Sequence, residues 1–379
     1  MSAQASAAGP LEGVDRQAAG RDWHCALEPP DHHALDLGSG LPAASIFLSD
    51  AWSRTWAAEA GLTPHRLVVR DAHGRLRGMG SMTMSNERRR GGLVRTRCWN
   101  LNTSNDAGFD SVFIEYNGLA GADADVGPAL DAALAHMAAV PGWDEWHIHA
   151  VPQDLAARIA ARWPRHRIVW HAPTFRVDLE SLRRAGRDHA ATLSRNTRQQ
   201  IARARRLFER SGPLRLEAAA STDEALAFFD ALERLHKAGW RARGKGDGAF
   251  TSPFFRRFHR RWIEHAWPRG RVELLRVRAG DDLVGCLYNL LHDGTAHAYQ
   301  SGFAATEDNR LKPGLLCHTM AIERHLRLGT QIYDLMAGDQ RYKASLAEPG
   351  PELQSLVLWR PRPLLLAEDL LRRWRTHGA

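Results

Sequence analysis

Lysine is almost missing from this sequence. It occurs only as Lys237, Lys245, Lys312 and Lys343, so 47 of the 51 basic residues are arginine. A skew of that size reflects composition more readily than binding, and a formal charge of +8 is weak evidence for a nucleic-acid partner. Where arginine is the default, a retained lysine marks a position that uses a compact ammonium. Cysteine is scarce too. Cys25, Cys98, Cys286 and Cys317 show neither metal nor redox spacing, which points to small buried thiols in a reducing cytoplasm. No run approaches the roughly 18 apolar residues of a membrane span. Met1 to Gly20 is rich in Ala and Gly but has no apolar signal core, which argues against secretion. Zinc motifs, a dinucleotide fingerprint and a Ser-His-Asp arrangement are lacking. Gly244-Lys245-Gly246-Asp247-Gly248 is not followed by Gly-Lys-Ser/Thr and is no P-loop; it reads as a mobile substrate-facing loop or a plain connector.

What is present suffices for two domains with real cores: 379 residues, 44% apolar and 25% charged. The chain is organised around Arg271 to Lys343. Arg271–Ala279, Leu283–Leu291 and Thr295–Ala304 read as a three-strand meander turned by Asp281-Asp282 and Asp293-Gly294. The middle strand is apolar on both faces, so it should be central and covered. A helix begins at Pro313-Gly314, where proline's missing N–H costs no partner, and Gly329 ends it. Gln331–Met336 returns as a strand parallel to the third, because a helical crossover joins them.

Around this stretch the sequence divides into four parts. Residues 1–42 read as a poorly ordered leader. Residues 43–180 form a first α/β domain, with Trp52 and Trp56 on one helix face and strands at Arg66–Arg70, Leu76–Met84, Arg95–Leu101 and Val112–Tyr116. A helix at Gly127–Val140 then leads to a strand at Trp146–Ala150, on which His147 and His149 share a face, either polar or metal-binding. One strand lies within Arg167–Asp178. Residues 181–360 form the second domain. It opens on the arginine-rich helix Leu193–Glu209, a surface for an anionic partner or a solvated face, and ends on a strand at Leu353–Trp359. An amphipathic helix occupies residues 361–379.

The order of antiparallel meander, helix and parallel strand resembles the core of the GNAT acyltransferases. More closely it is similar to the FemAB-like branch that includes the CelD/BcsL proteins, with their BioF2-like acetyltransferase domain, associated with bacterial polysaccharide synthesis. The residues that carry the resemblance are Trp240-Arg241-Ala242-Arg243-Gly244, Tyr299-Gln300-Ser301-Gly302-Phe303, Lys312-Pro313-Gly314, and Asp334-Leu335-Met336-Ala337-Gly338-Asp339 with Tyr342-Lys343. It covers roughly Thr192 to Trp359. It implies tandem GNAT-like domains, each a mixed, mostly antiparallel sheet flanked by helices, the first degenerate and the second with a V-shaped opening between parallel strands. Standard GNAT enzymes carry Gln/Arg-x-x-Gly-x-Gly/Ala where this chain has Arg310-Leu311-Lys312-Pro313-Gly314-Leu315. Only the leading Arg and a shifted Gly survive, as expected if the donor differs.

Acyl transfer from a thioester needs a proton acceptor for the nucleophile, stabilisation of the carbonyl oxygen, and tolerance of the leaving thiolate. The donor's pyrophosphate needs an anion site, which a helix N-terminus supplies. The amides from Gly314 to Leu316, flanked by Arg310 and Lys312, are the candidates, with ordinary surface cations at a helix start as the simple alternative. The resemblance places the acyl carbonyl beside Gln300, Ser301 and Gly302. Tyr299 either protonates the thiolate or packs as a half-buried aromatic. Asp334 is a general base, an orienter of Lys343, or a salt-bridged strand end. Lys343 polarises donor or acceptor, or is a surface helix lysine. His236 beside Trp240 is a second base candidate, and His236, Trp240, Arg241, Tyr288 and Asp339 form the expected acceptor side. Glu115-Tyr116-Asn117 faces a cleft or ends a strand.

The sequence thus leads to a cytoplasmic acyltransferase that uses acetyl-CoA or another acyl-CoA and no metal, acting by direct attack on an amine or hydroxyl of a sugar, a polysaccharide precursor or another small acceptor. Fem-like aminoacyl transfer from charged tRNA is the enzymatic alternative, and a non-enzymatic degenerate scaffold the other. The sequence assigns no oligomeric state.

Overall fold

The structure is a computed structural model and describes residues 23–30 and 40–377. The chain forms two compact units, one of Met1–His171 with Leu353–Ala379 and one of Ala172–Glu352. The first unit contains β1 (Trp23–Glu28), α1 (Asp50–Ala60), β2 (His65–Asp71), β3 (Leu76–Arg89), β4 (Val94–Leu101), α2 (Asp123–Ala139), β5 (Glu145–Pro152), α3 (Gln153–Arg162) and β6 (His166–Ala172). The second contains β7 (Thr174–Asp178), α4 (Leu179–Arg184), α5 (Arg195–Phe208), β8 (Leu214–Ala218), α6 (Thr222–Arg241), α7 (Pro253–Ala266), β9 (Val272–Ala279), β10 (Asp282–His292), β11 (Thr295–Phe303), α8 (Pro313–Leu328), β12 (Ile332–Ala337), α9 (Arg341–Leu346) and β13 (Glu348–Pro349). The chain then returns to the first unit as β14 (Leu353–Trp359) and α10 (Pro363–His377). Among the described residues no helix is long and apolar enough to cross a membrane.

Each unit holds one mixed seven-stranded sheet, ordered β1-β2-β3-β4-β5-β14-β6 and β13-β7-β12-β11-β10-β9-β8. The two share a plan. A meander (β2–β3–β4, β9–β10–β11) is followed by a helix (α2, α8) and a strand parallel to the meander's last member (β5, β12). An antiparallel strand, β14 or β7, then pairs with that returning strand. Both returning strands also hold a non-glycine residue in the left-handed region, Ala150 (φ 49°) and Met336 (φ 63°), next to a break in register. This is the fold of tandem GNAT-like domains.

The cores follow from the sheet faces. In the first unit Trp143, Trp146, Trp163, Met137 and Ile148 pack between α2, α3 and the sheet. In the second, α4, α5 and α8 cover one face with Leu182, Ile201, Ala321 and Ile322 against Leu275, Val277 and Leu287. The other face lies under α6 and α7, where Phe228, Phe229, Phe255 and Phe258 are fully buried. The middle strand β10 is covered on both sides, as its apolar sequence implies.

Several expectations need correction. Trp23–Glu28, inside the expected leader, is a strand paired with β2 over six residues; positions 1–22 and 31–39 lie outside the described residues. The boundary between units falls at 171/172 rather than 180/181. Arg167–Asp178 is two strands, interrupted at Pro173, which cannot donate to a ladder. Leu353–Trp359 pairs with β5 in the first sheet instead of closing the second. Val112–Tyr116 is no strand: Asp110 caps the amides of Ser104 and Asn105, Tyr116 is left-handed at φ 53°, and Val112 and Ile114 are buried from an irregular loop.

The first unit has a buried charge cluster under β3–β5. Glu145, at 0% exposure, accepts two hydrogen bonds from Arg89 (2.9 and 2.8 Å) and one from Arg167 (3.0 Å), and lies 3.2 Å from His147 Nε2. Ligating atoms of Glu87, Cys98, Glu145 and His147 lie within 4.8 Å of one another. Guanidiniums already occupy Glu145, and burial pushes the Cys98 thiol up to about 12. His149, the other half of the His-x-His pair, sits 6.1 Å from the His147 ring with its own titration lowered by burial to about 4.

Burial alone would raise the Glu145 carboxyl, but the bonds from His147 and Arg89 and the charges of Arg89 and Arg167 hold it far below the ordinary carboxylate range. A depressed folded pKa gives stability that is complete above the unfolded value and lost as pH falls beneath it. The difference in urea midpoint between wild type and Glu145→Gln is therefore expected to shrink as pH drops from about 6 to about 3; a constant difference contradicts it.

Candidate active site

The candidate site lies where β11 and β12 part. They pair in parallel only over Thr295–His297 with Ile332–Asp334. Beyond His297 the edge of β11 has no strand beside it among the described residues, and this is the V-shaped opening. Two irregularities produce it. In β11 the register with β10 slips between Tyr288 and Asn289, leaving Tyr299 as the extra residue of a bulge. In β12, Met336 turns left-handed and the pairing with β7 lapses between Asp334 and Ala337. A non-glycine residue in that region costs about 1–3 kcal/mol and persists only where its surroundings hold it.

Asp334 and Lys343 do the holding. Asp334 is buried at 4% exposure. Its Oδ2 lies 3.0 Å from His297 Nδ1 on the neighbouring strand, and its Oδ1 accepts the Met336 N–H at 2.7 Å. Both oxygens are engaged, so the carboxylate fixes the bend in β12. Lys343 is buried on α9 and donates to the Met336 and Ala337 carbonyls at 3.3 and 2.6 Å. It is a strut for the same bend, not a surface lysine. His297 was not singled out in the sequence; only the strand register makes it Asp334's neighbour.

The residues expected on the donor side lie at the start of α8 and along the end of β11. α8 starts after Lys312, itself left-handed at φ 44° and exposed, with Pro313 at its first position. The Leu316 N–H returns to the Lys312 carbonyl at 3.1 Å, so the amides of Gly314 and Leu315 are the ones without an intrahelical acceptor. Gly314 is explained by Phe303 at the end of β11, whose ring would lie 3.1 Å from a Cβ there. Leu315 is a core residue. Arg310 does not reach toward the helix start as a free cation; its guanidinium grips Asp308 at 2.8–3.1 Å. Gly302 is small because α6 lies against it: a Cβ would overlap the Leu232 carbonyl and lie 2.9 Å from His236 N. The Ser301 N–H is taken by Gln300 Oε1 at 3.0 Å, so a bound carbonyl must displace that side chain.

On the acceptor side the structure separates the candidates. Tyr288 is wholly buried, its hydroxyl 3.1 Å from His259 Nδ1. Tyr299, at 4% exposure, packs among His259, Tyr288 and Phe255. Both belong to the aromatic core under α6 and α7. Asp339 is exposed after the end of β12. His236 and Trp240 stack on α6 with ring centres 5.5 Å apart, and His236 Nδ1 lies 3.0 Å from the Ser301 carbonyl. Arg241 pairs with Asp247 across the glycine-rich loop at 2.6 and 3.1 Å. A separate cavity of about 860 Å³ opens at the start of α5, lined in part by Arg176, Arg187, Ser194 and Asn196.

Replacing Lys343 by Met removes the donor to two carbonyls at a left-handed bend. A loss of about 1–3 kcal/mol is expected in urea unfolding; a change below about 0.5 kcal/mol contradicts the strut.

Comparison with known proteins follows the same division. Residues 195–344 match the family model described as "Acetyltransferase (GNAT) domain". No curated protein matches the chain. Among solved structures, FemX matches with a TM-score of 0.53 at 9% identity, covering 88% of this chain and 97% of that one. L-PGS from Bacillus licheniformis matches with a TM-score of 0.49 at 11% identity, covering 91% and 97%. At such identities only the FemX likeness bears on the fold. The matched stretch, residues 195–344, lies within the second unit and is similar to a GNAT-type acetyltransferase domain.

Proposed function

We propose that the second unit is an acyl-CoA-dependent acyltransferase, acting by direct attack of an amine or hydroxyl on the thioester. The observation that carries this reading is the parting of β11 from β12 after His297–Asp334, with the start of α8 packed on the last residue of β11. The opening admits an acyl carbonyl to the edge of β11, where it replaces Gln300 Oε1 at the Ser301 N–H. The free amides of Gly314 and Leu315, with Lys312, receive donor phosphate. The acyl group is acetyl or longer, and the acceptor a sugar, a polysaccharide precursor or another small molecule in the cytoplasm, an assignment that rests on the CelD/BcsL resemblance alone.

The first unit supports the assignment by contrast. Its corresponding gap is bridged by Asn117, whose Nδ2 donates to the Leu101 carbonyl at 3.1 Å and whose N–H donates to the Ala150 carbonyl at 3.0 Å. Its helix α2 opens with Asp123 and Asp125, which repel phosphate. We therefore read the first unit as the degenerate one.

One observation favours charged tRNA as donor. Arg195, Arg198, Arg203 and Arg206 are exposed on α5, while Arg310 is committed to Asp308. Thermal unfolding with acetyl-CoA, longer acyl-CoAs or charged tRNA separates the readings. Acyl-CoA at about 100 times its Kd is expected to add about 2.7 kcal/mol. Protection by charged tRNA alone, weakening steeply with salt, selects aminoacyl transfer. Protection by neither overturns both.

A further inference from the structure

The glycine-rich loop after α6 covers a group that the opening between β11 and β12 does not explain. His236 is buried at 6% exposure. Its Nδ1 lies 3.0 Å from the Ser301 carbonyl oxygen. A carbonyl can only accept, so Nδ1 carries the proton and Nε2 presents a bare lone pair. That Nε2 is buried with no hydrogen-bond partner among the described residues, as are several other buried ring nitrogens; His236 differs from them in its bond to the Ser301 carbonyl. Ser301 belongs to the part of β11 that has lost its neighbour β12, so the imidazole is tied to the strand edge on which the acyl carbonyl would rest.

Gly248 is what covers it. A Cβ there would overlap His236 Nε2 and lie 2.8 Å from the Trp240 ring, so only glycine closes over the pair. Gly244, Gly246 and Gly248 are all left-handed, at φ 68°, 63° and 61°. Arg243 and Lys245 stand 5.3 and 5.9 Å from the Trp240 ring centre. The loop is clipped by the Arg241–Asp247 pair, and with Arg241 65% exposed this is a weak, solvent-screened clasp.

We propose that His236 is the base that takes the acceptor's proton, and that residues 244–248 form a lid that covers and uncovers its Nε2. The chemical half rests on the acyl-transfer reading. The acceptor's neutral amine nitrogen or hydroxyl oxygen bonds to the thioester carbonyl carbon while its proton passes to Nε2. The carbon–sulfur bond then breaks, and the imidazolium returns the proton to the departing thiolate. The acylated acceptor and the free thiol leave, and the imidazole is neutral again. Burial, assisted by the charge of Arg243 and opposed by the Ser301 bond, lowers the ring's titration, so the lone pair is available near neutrality. Each oxygen of Asp334 is already used in holding the bend of β12, one toward His297 and one at the Met336 N–H.

The test has two arms on the full-length protein. In the first, diethyl pyrocarbonate modification of His236 is followed by peptide mass mapping. Gly248→Ala, which forces the lid off, is expected to raise the rate at least about 10-fold, and Asp247→Asn, which opens the clasp without a steric clash, about threefold or more. Rates equal to wild type in both variants overturn the lid, whatever the reaction. In the second, His236→Gln is expected to lower kcat by about 10²–10⁴-fold while KM for the acyl donor and the donor-induced thermal shift stay within about twofold. A kcat within about threefold of wild type, or a parallel loss of donor binding, overturns the base. Absence of a donor-induced shift in the wild type overturns the acyl-transfer reading and with it the base, and leaves the modification arm to decide the lid.

Discussion

Asp334 is held from two sides, by His297 across the parallel pair and by the Met336 amide two residues on. Everything distinctive in the second unit follows from that arrangement. Parallel strands with regular backbones stay together along their length. Here one is bulged at Tyr299 and the other bent at Met336, and the carboxylate sits at the last point where they touch. Lys343 ties off the carbonyls that the bend turns away from the ladder. Backbone strain of this kind is kept only where neighbouring contacts outweigh it. Here those contacts are buried polar groups, which are specific in geometry and costly to leave half satisfied.

The same plan was built twice in this chain and completed differently. Both units run meander, helix, parallel strand, and both place a left-handed residue in the returning strand. In the first unit the excursion between β4 and α2 folds back, so that Asn117 joins Leu101 to Ala150 and the gap is stitched with protein. In the second the gap is left with an unpaired strand edge and a helix start carrying Lys312 in place of Asp123 and Asp125. One sheet is closed by its own loop; the other keeps its opening.

Much of the fold was legible because its signals are local. The meander, the start of α8 at Pro313 and its end at Gly329 fell where turn residues and proline place them. What the sequence hid depends on partners far along the chain. Alternation identifies Leu353–Trp359 as a strand but not which sheet receives it. Trp23–Glu28 is a strand only because β2 lies beside it. In the site, Asp334 stood out as a carboxylate in the returning strand and Lys343 as one of only four lysines, whereas their use in holding a bend requires His297 and the Met336 backbone. Gly302 and Gly314 resembled ligand-binding glycines, yet α6 and Phe303 fill the space each leaves. Arg310 has Asp308 only two residues before it, a local partner that the sequence offered and that was overlooked.

The central claim is that the unpaired edge of β11 and the start of α8 together receive an acyl thioester. Amide hydrogen exchange with and without acyl-CoA tests it most directly. Slower exchange is expected at Gln300–Gly302 and at Gly314–Leu316, with Asn102 and Asp123–Asp125 of the first unit unchanged. Unaltered exchange at the first two stretches, or protection confined to the first unit, contradicts the account.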